Sequence, residues 1–210
     1  MNPNLEKDLQ NTMGIISADW DMQSNYYDKA SNFIYKVRSL DECLKEIERT
    51  GVKKEYALHR WYNYMTSIQC EYIFCEYGAV HETDKYNHDV DIYIDGVPFD
   101  VKLTVYPVKL SSRPYDLNTR TGKDDMIRWY YANQSQQSRK QLLNRLYVVC
   151  DGPTSHENMV MKSNFDLMRR KISEYMSYVR EHGFNELTIV DAGREYRLKS
   201  DIIRLAASSF

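Results

Sequence analysis

The sequence predicts an α/β fold, a mixed central sheet flanked by helices, on three observations. A long run of helical periodicity precedes a segment of strict alternation. That alternation is interrupted by Asp95-Gly96, a favoured two-residue hairpin turn, and a later apolar run, LYVVC, has the composition of a strand buried on both faces. At 210 residues the chain is long enough for one well-buried core and short for two. Hydrophobic residues at 42% and charged residues at 28% match ordinary globular proteins and exclude long disorder. A single domain is expected, with an N-terminal helical extension over 1–56 leading into an α/β part over 57–210.

The residues before about position 55 read as helices. Ser39 and Glu42 form a capping box ahead of LDECLKEIERT, and Gly51 ends that helix. A longer helix is expected from about Ala57 to Tyr77, with Trp61, Met65, Ile68, Tyr72 and Cys75 as its buried stripe and Gly78 as its stop. Ala79 to Thr83 is a short strand, and NHDVDIYIDGVPFDVKLTVYP reads as a hairpin about Asp95-Gly96. A polar loop follows Tyr106 and leads into a helix from about Asp124 to Leu143. Leu146 to Cys150 is the buried strand, Asn164 to His182 a further helix ended by Gly183, and ELTIVDAG a late strand.

A two-residue turn pairs Ile94 with Val97 and so fixes the rest of the ladder. Asp91 then faces Asp100, and Asp89 faces Lys102. The period of two puts Asp89, Asp91, Tyr93, Asp100, Lys102 and Thr104 on one face, with Ile92, Ile94, Phe99, Val101 and Leu103 on the other. Directly opposed carboxylates, their Cβ atoms about 4.5–5.5 Å apart, repel unless a cation or a proton lies between them. Magnesium is the simplest remedy, because it prefers oxygen ligands and keeps several waters. Lys102 points the same way as Asp100 and can hold an attacking water. Glu71 lies on the long helix among Ile68, Phe74 and Cys75, where a lone carboxylate is costly, and is a third candidate; Glu76, five residues on, is the alternative.

The string IQCEYIFCEYG, then DVDIYIDG and VPFDVKLT, resembles the PD-(D/E)XK nuclease superfamily over roughly residues 57 to 150. In that superfamily a helical Glu, an Asp and a D/E-x-K tripeptide surround one or two magnesium ions. The resemblance implies a restriction-endonuclease-like core and a metal-dependent nuclease. Glu71, Asp91 and Asp100 would hold Mg2+, for which Mn2+ can substitute, and Lys102 would complete the catalytic set. Val90 stands where the pattern has Pro, and the tripeptide is the Asp version. DNA is the expected substrate through family habit; a nuclease fold kept for binding alone and an RNA-directed effector are the rivals.

From Lys102 to Arg145 the chain holds nine basic and three acidic residues, a net of +6 against −2 for the whole sequence. Such polarity suits a phosphate-backbone channel, with Lys109, Arg113, Arg120, Lys123, Gln134 and Arg139 as candidate contacts, though ordinary solvated side chains have the same composition. Eighteen tyrosines could stack on bases or pack a core and a homodimer interface. The four cysteines form no CxxC pair and read as free thiols. No apolar stretch approaches the roughly 18 residues of a membrane span, and the polar start is unlike a signal peptide, so a soluble, cytoplasmic protein without a membrane partner is expected.

Overall fold

The structure, a computed structural model, describes residues 3–18, 23–84, 86–112, 114–133 and 142–206. Its chain order is α1 (Leu5–Met13), α2 (Asn25–Ala30), a 3-10 turn (Asn32–Tyr35), α3 (Leu40–Thr50), α4 (Lys54–Glu76), β1 (Val80–His81), β2 (Ile92–Ile94) and β3 (Val97–Val105). After a second 3-10 turn (Val108–Leu110) come α5 (Arg120–Ala132), β4 (Arg145–Cys150), α6 (Ser155–Met161), α7 (Phe165–His182), β5 (Glu186–Asp191) and β6 (Arg194–Leu205). The six strands form one mixed sheet in the order β1-β2-β3-β4-β6-β5. Its centre, β3-β4-β6, is parallel, and its outer pairs are antiparallel.

Local chemistry explains the boundaries. Ser39 Oγ accepts the Glu42 N–H at 3.3 Å, as a capping residue should, but the Glu42 carboxylate reaches back to the N–H of Arg38 at 2.7 Å instead of Ser39. Gly51 ends α3 in the left-handed region at φ +66°. In the hairpin, Ile94 pairs with Val97 and Ile92 with Phe99, the register that the turn dictates. Asp95 and Gly96 both have positive φ, +50° and +77°, as a type I′ turn requires.

Both faces of the sheet are covered. Val101, Leu103, Leu146, Val148, Cys150 and Ile203 pack with α4 and α7, and Leu5, Leu9, Ile34, Cys43 and Ile47 from the N-terminal helices join that same buried cluster. On the other face Tyr147, Val149 and Ile202 pack with Met126, Ile127 and Tyr131 of α5. Every residue of β4 is buried, which is why its sequence is apolar without alternation. Among the described residues no helix is long and apolar enough to cross a membrane.

Four elements differ from expectation. Strand β6 and helix α6 have no counterpart in the sequence reading, and β6 is inserted between β4 and β5. Helix α5 starts at Arg120, where the Thr119 hydroxyl accepts the Gly122 N–H at 3.1 Å; residues 134–141 of the expected helix lie outside the described residues. Along α4 the expected stripe is buried only in its first half. Trp61 and Met65 are in the core, Ile68 and Cys75 are half-buried, and Tyr72 is 42% exposed, because that face turns from the core toward a cavity.

Two predictions follow from this packing. A Cβ at Gly122 would lie 2.1 Å from the Asp116 carbonyl oxygen. Gly122→Ala should therefore cost about 1–3 kcal/mol through forced backbone movement, read as a lower urea midpoint at unchanged m-value. At the end of α6, the buried Lys162 ammonium donates to Asn63 Oδ1 at 2.6 Å, and burial lowers its pKa below the usual lysine value. A lowered lysine pKa means that the folded state is penalised while the group is charged, and the penalty fades as pH rises from the folded pKa toward about 10.4. Lys162→Met should melt higher than wild type at pH 7, with the gap narrowing toward pH 10; a constant gap would contradict this.

Candidate active site

Glu71 comes from the last two turns of α4, on a face that also carries Cys70 and Phe74, and is only 7% exposed. Burial, then the negative charge of Asp91, pushes its carboxyl up to about 7, with His81 working in the opposite direction. His81 of β1 explains the arrangement. Its Nε2 lies 2.8 Å from Glu71 Oε2, and its Nδ1 lies 2.8 Å from the Glu82 carbonyl oxygen. A carbonyl only accepts, so Nδ1 carries a hydrogen, and the Nε2–Oε2 contact must then hold one further proton between imidazole and carboxyl. Glu76 lies elsewhere, exposed and paired with Arg169 of α7 at 2.9 Å.

The hairpin brings Asp91 and Asp100 together, though not by continuing the ladder. The Asp91 N–H donates to the Phe99 carbonyl at 2.9 Å, and its side chain Oδ2 accepts the Val101 N–H at 2.7 Å. Asp91 thus uses its carboxylate as a strand partner. Its pKa is raised by burial and by the negative charge of Asp100; the Val101 N–H and Lys102 oppose the rise. Asp100 is 5% exposed. One of its oxygens contacts Lys102 Nζ, and the other accepts from Arg145 Nε at 2.5 Å. The Lys102 side chain is 49% exposed and so open to solvent at this point.

Asp89 is not opposite Lys102. The chain leaves the strand before Asp91 because the Glu82 carboxylate gathers the connecting loop, accepting from the N–H groups of Thr83 and Asp84, from Asn87 Nδ2 and from the Tyr93 hydroxyl. Those donors, the Asp84 N–H first, hold Glu82 down at about 2. Asp89 and His88 are exposed in that loop.

The expected phosphate contacts are dispersed. Lys109 is exposed beyond the end of β3. Arg120 and Lys123 line a different cavity, of about 620 Å³, beside β6. There Arg120 is bonded to Asp124 at 2.7 Å and Asp201 at 2.8 Å, and burial lowers the pKa of Lys123. Arg113, Gln134 and Arg139 lie outside the described residues. Arg145, counted among the basic residues of this stretch, is buried at 6% exposure and committed to Asp100.

Searches against protein-family models, curated proteins and solved structures returned no match. The chemistry of the site therefore rests on its own residues. Cys43, Cys70 and Cys150 are buried free thiols, with Cys43 and Cys150 pushed up to about 12 by desolvation, which makes them poor metal ligands. Among the described residues no three His, Cys, Asp or Glu side chains are gathered closely enough to hold an ion as they stand. Magnesium needs fewer, since it is commonly bound by one or two carboxylates with water and phosphate supplying the rest. The neighbouring carboxyls of Asp91 and Asp100 are hard oxygen donors of that kind, in a place where burial and mutual repulsion already demand positive charge.

Sequence reading missed His81 and the role of Arg145. His81 has no motif around it, and its partner Glu71 is ten residues away on another element. Arg145 was detectable only through the parallel register that sets it opposite Asp100. Because both members of that pair are buried, Arg145→Met should destabilise by roughly 3–5 kcal/mol, and Asp100→Asn in the same chain should recover part of the loss. A double-mutant cycle on denaturation free energies measures the coupling; additive losses would show that the two groups act separately.

Proposed function

We propose that this protein is a Mg2+-dependent phosphodiesterase that cuts nucleic acid, with DNA as the first substrate to test, on a restriction-endonuclease-like core. The observation that carries the reading is the Asp91 carboxyl, held on the Val101 N–H next to Asp100 in the hairpin, with Lys102 on Asp100. The order α4, β2-β3 hairpin, α5, β4, with β3 and β4 parallel, supports it because it spans the segment that resembles PD-(D/E)XK nucleases.

Asp91 and Asp100 are the residues that would hold the ion, with Glu71 behind them. When bound, Mg2+ polarises a phosphoryl oxygen and lowers the pKa of water. Lys102, half in solvent, orients the incoming water and steadies negative charge developing on phosphate. Arg145 fixes the Asp100 carboxylate from behind through one oxygen, so the aspartate keeps its direction when Lys102 moves onto substrate. The Glu71–His81 pair, sharing a proton beside Asp91, is placed to take up or return a proton without leaving a buried charge uncompensated.

A second reading has an observation of its own. Both Asp100 oxygens are already satisfied by Lys102 and Arg145, as in a structural ion cluster of a binding protein that keeps the fold without turnover.

Cleavage of plasmid, single-stranded DNA and matched RNA, with Mg2+ or Mn2+ and with EDTA, separates the two. The enzyme reading expects metal-dependent cutting that falls roughly 10²–10⁴-fold in Asp91→Asn and in Lys102→Met, with circular dichroism unchanged. Calorimetric Mg2+ binding should weaken in Asp91→Asn. No metal-dependent cutting of any substrate by folded wild-type protein would overturn the enzyme reading in favour of the second. Cutting confined to RNA would instead replace the substrate.

A further inference from the structure

Beside the carboxylate cluster lies a cavity of about 550 Å³, between α4 and the N-terminal helices, within the roughly 300–1,000 Å³ typical of small-ligand sites. We propose that it is a subsite for one unpaired nucleobase of the strand being cut. The proposal rests on the reading that the neighbouring cluster acts on nucleic acid, and it assigns a use to the α4 face that the core leaves open.

The cavity shares a wall with the cluster. His81 lines it with its ring and at the same time bonds Glu71 through Nε2. The Tyr72 ring is stacked on His81, with centroids 5.3 Å apart and planes 20° from parallel, so two aromatic faces already form a platform. Tyr72 is 42% exposed there, an apolar ring held in place without being covered. Tyr64, half-buried, adds a third ring to the lining, and Met65 a polarisable wall of the kind that accepts flat ligands.

Gln69 gives the cavity its polar demand. The residue is 3% exposed, it lines the cavity, and among the described residues its Nε2 has no hydrogen-bond partner. A buried amide left unpaired is costly, and evolution tolerates it where a ligand completes the bond. The edge of a base offers the acceptors that this amide lacks, next to a stacking platform that any base can use. Arg38 lines the same cavity from the N-terminal side, its guanidinium steadied by the carbonyl oxygens of Tyr35 and Val37 at 3.0 and 3.2 Å. A cation fixed beside an aromatic slot suits the phosphate that accompanies a base. A paired base has its edge and both faces occupied, so only an unpaired one can enter.

The test is titration of the 210-residue protein into single-stranded DNA carrying 2-aminopurine, in EDTA so that nothing is cut, with cleavage of the same oligonucleotides then followed in Mg2+. Stacking in the cavity should quench the fluorescence on binding. Tyr72→Ala should weaken binding roughly 5- to 150-fold, whereas Tyr26→Ala, which removes a 75% exposed ring on α2, should not. Gln69→Leu should weaken binding and yet raise the melting temperature, since it deletes an unpaired buried amide; a merely structural glutamine would lower it. Tight binding indifferent to both Tyr72→Ala and Gln69→Leu overturns the subsite, whatever the cleavage result. Absence of any binding overturns it too, and cutting in Mg2+ then shows whether the catalytic reading survives alone. Variant-sensitive binding without cutting keeps the subsite and removes the catalysis.

Discussion

The buried pair of Asp100 and Arg145 is the contact on which the geometry of this site depends. The two residues are partners in the parallel register of β3 and β4, so their side chains leave the same row of the sheet together. Each alone would be an uncompensated charge in a poorly solvated place; together, at 2.5 Å, they offset that cost and lock the hairpin strand against the centre of the sheet. The Tyr131 ring of α5 lies against the guanidinium, 5.8 Å from its centroid, and the Tyr131 hydroxyl is bonded to the Leu143 carbonyl at 2.6 Å. With Asp100 fixed, the positions of Lys102 and Asp91 follow from strand periodicity and from the Val101 N–H that holds Asp91.

Much of this was legible in the sequence because short-range rules set it. Asp95-Gly96 determines which residues oppose one another, and the separation of Ile92, Ile94, Phe99, Val101 and Leu103 from the charged face followed directly; all five are buried in one cluster. The failures share a cause. Extending the ladder sets Asp89 opposite Lys102, but the ladder stops, because a single carboxylate, Glu82, draws four donors into a loop. Composition counts Arg145 in the positive charge of its stretch and has no information on its burial at 6% exposure. Strand β6 carries Arg197, Lys199, Asp201 and Arg204, and its alternation is obscured by charges whose partners, such as Asp151 for Arg204 and Arg120 for Asp201, are supplied by distant segments.

The N-terminal helices have a clearer place in the structure than in the sequence. Leu5, Leu9 and Cys43 belong to the same buried cluster as the sheet, so these helices complete the wall behind α4. Their presence also explains how Glu71 and Gln69 can be so dry: the helix that carries them is enclosed from the sheet side and from the N-terminal side together. A helical stripe inferred from spacing alone cannot distinguish residues that face a core from residues that face a lined cavity, and α4 contains both in succession.

The strand order has a consequence for synthesis. The fully buried strand β4 finds its second neighbour, β6, only after α6, α7 and β5 have intervened. On a ribosome, the apolar edge formed by Leu146–Cys150 therefore waits on the order of several seconds while the next fifty or so residues are added. Throughout that interval the nascent chain presents an open hydrogen-bonding edge to its surroundings, closed only when β6 slides into the gap.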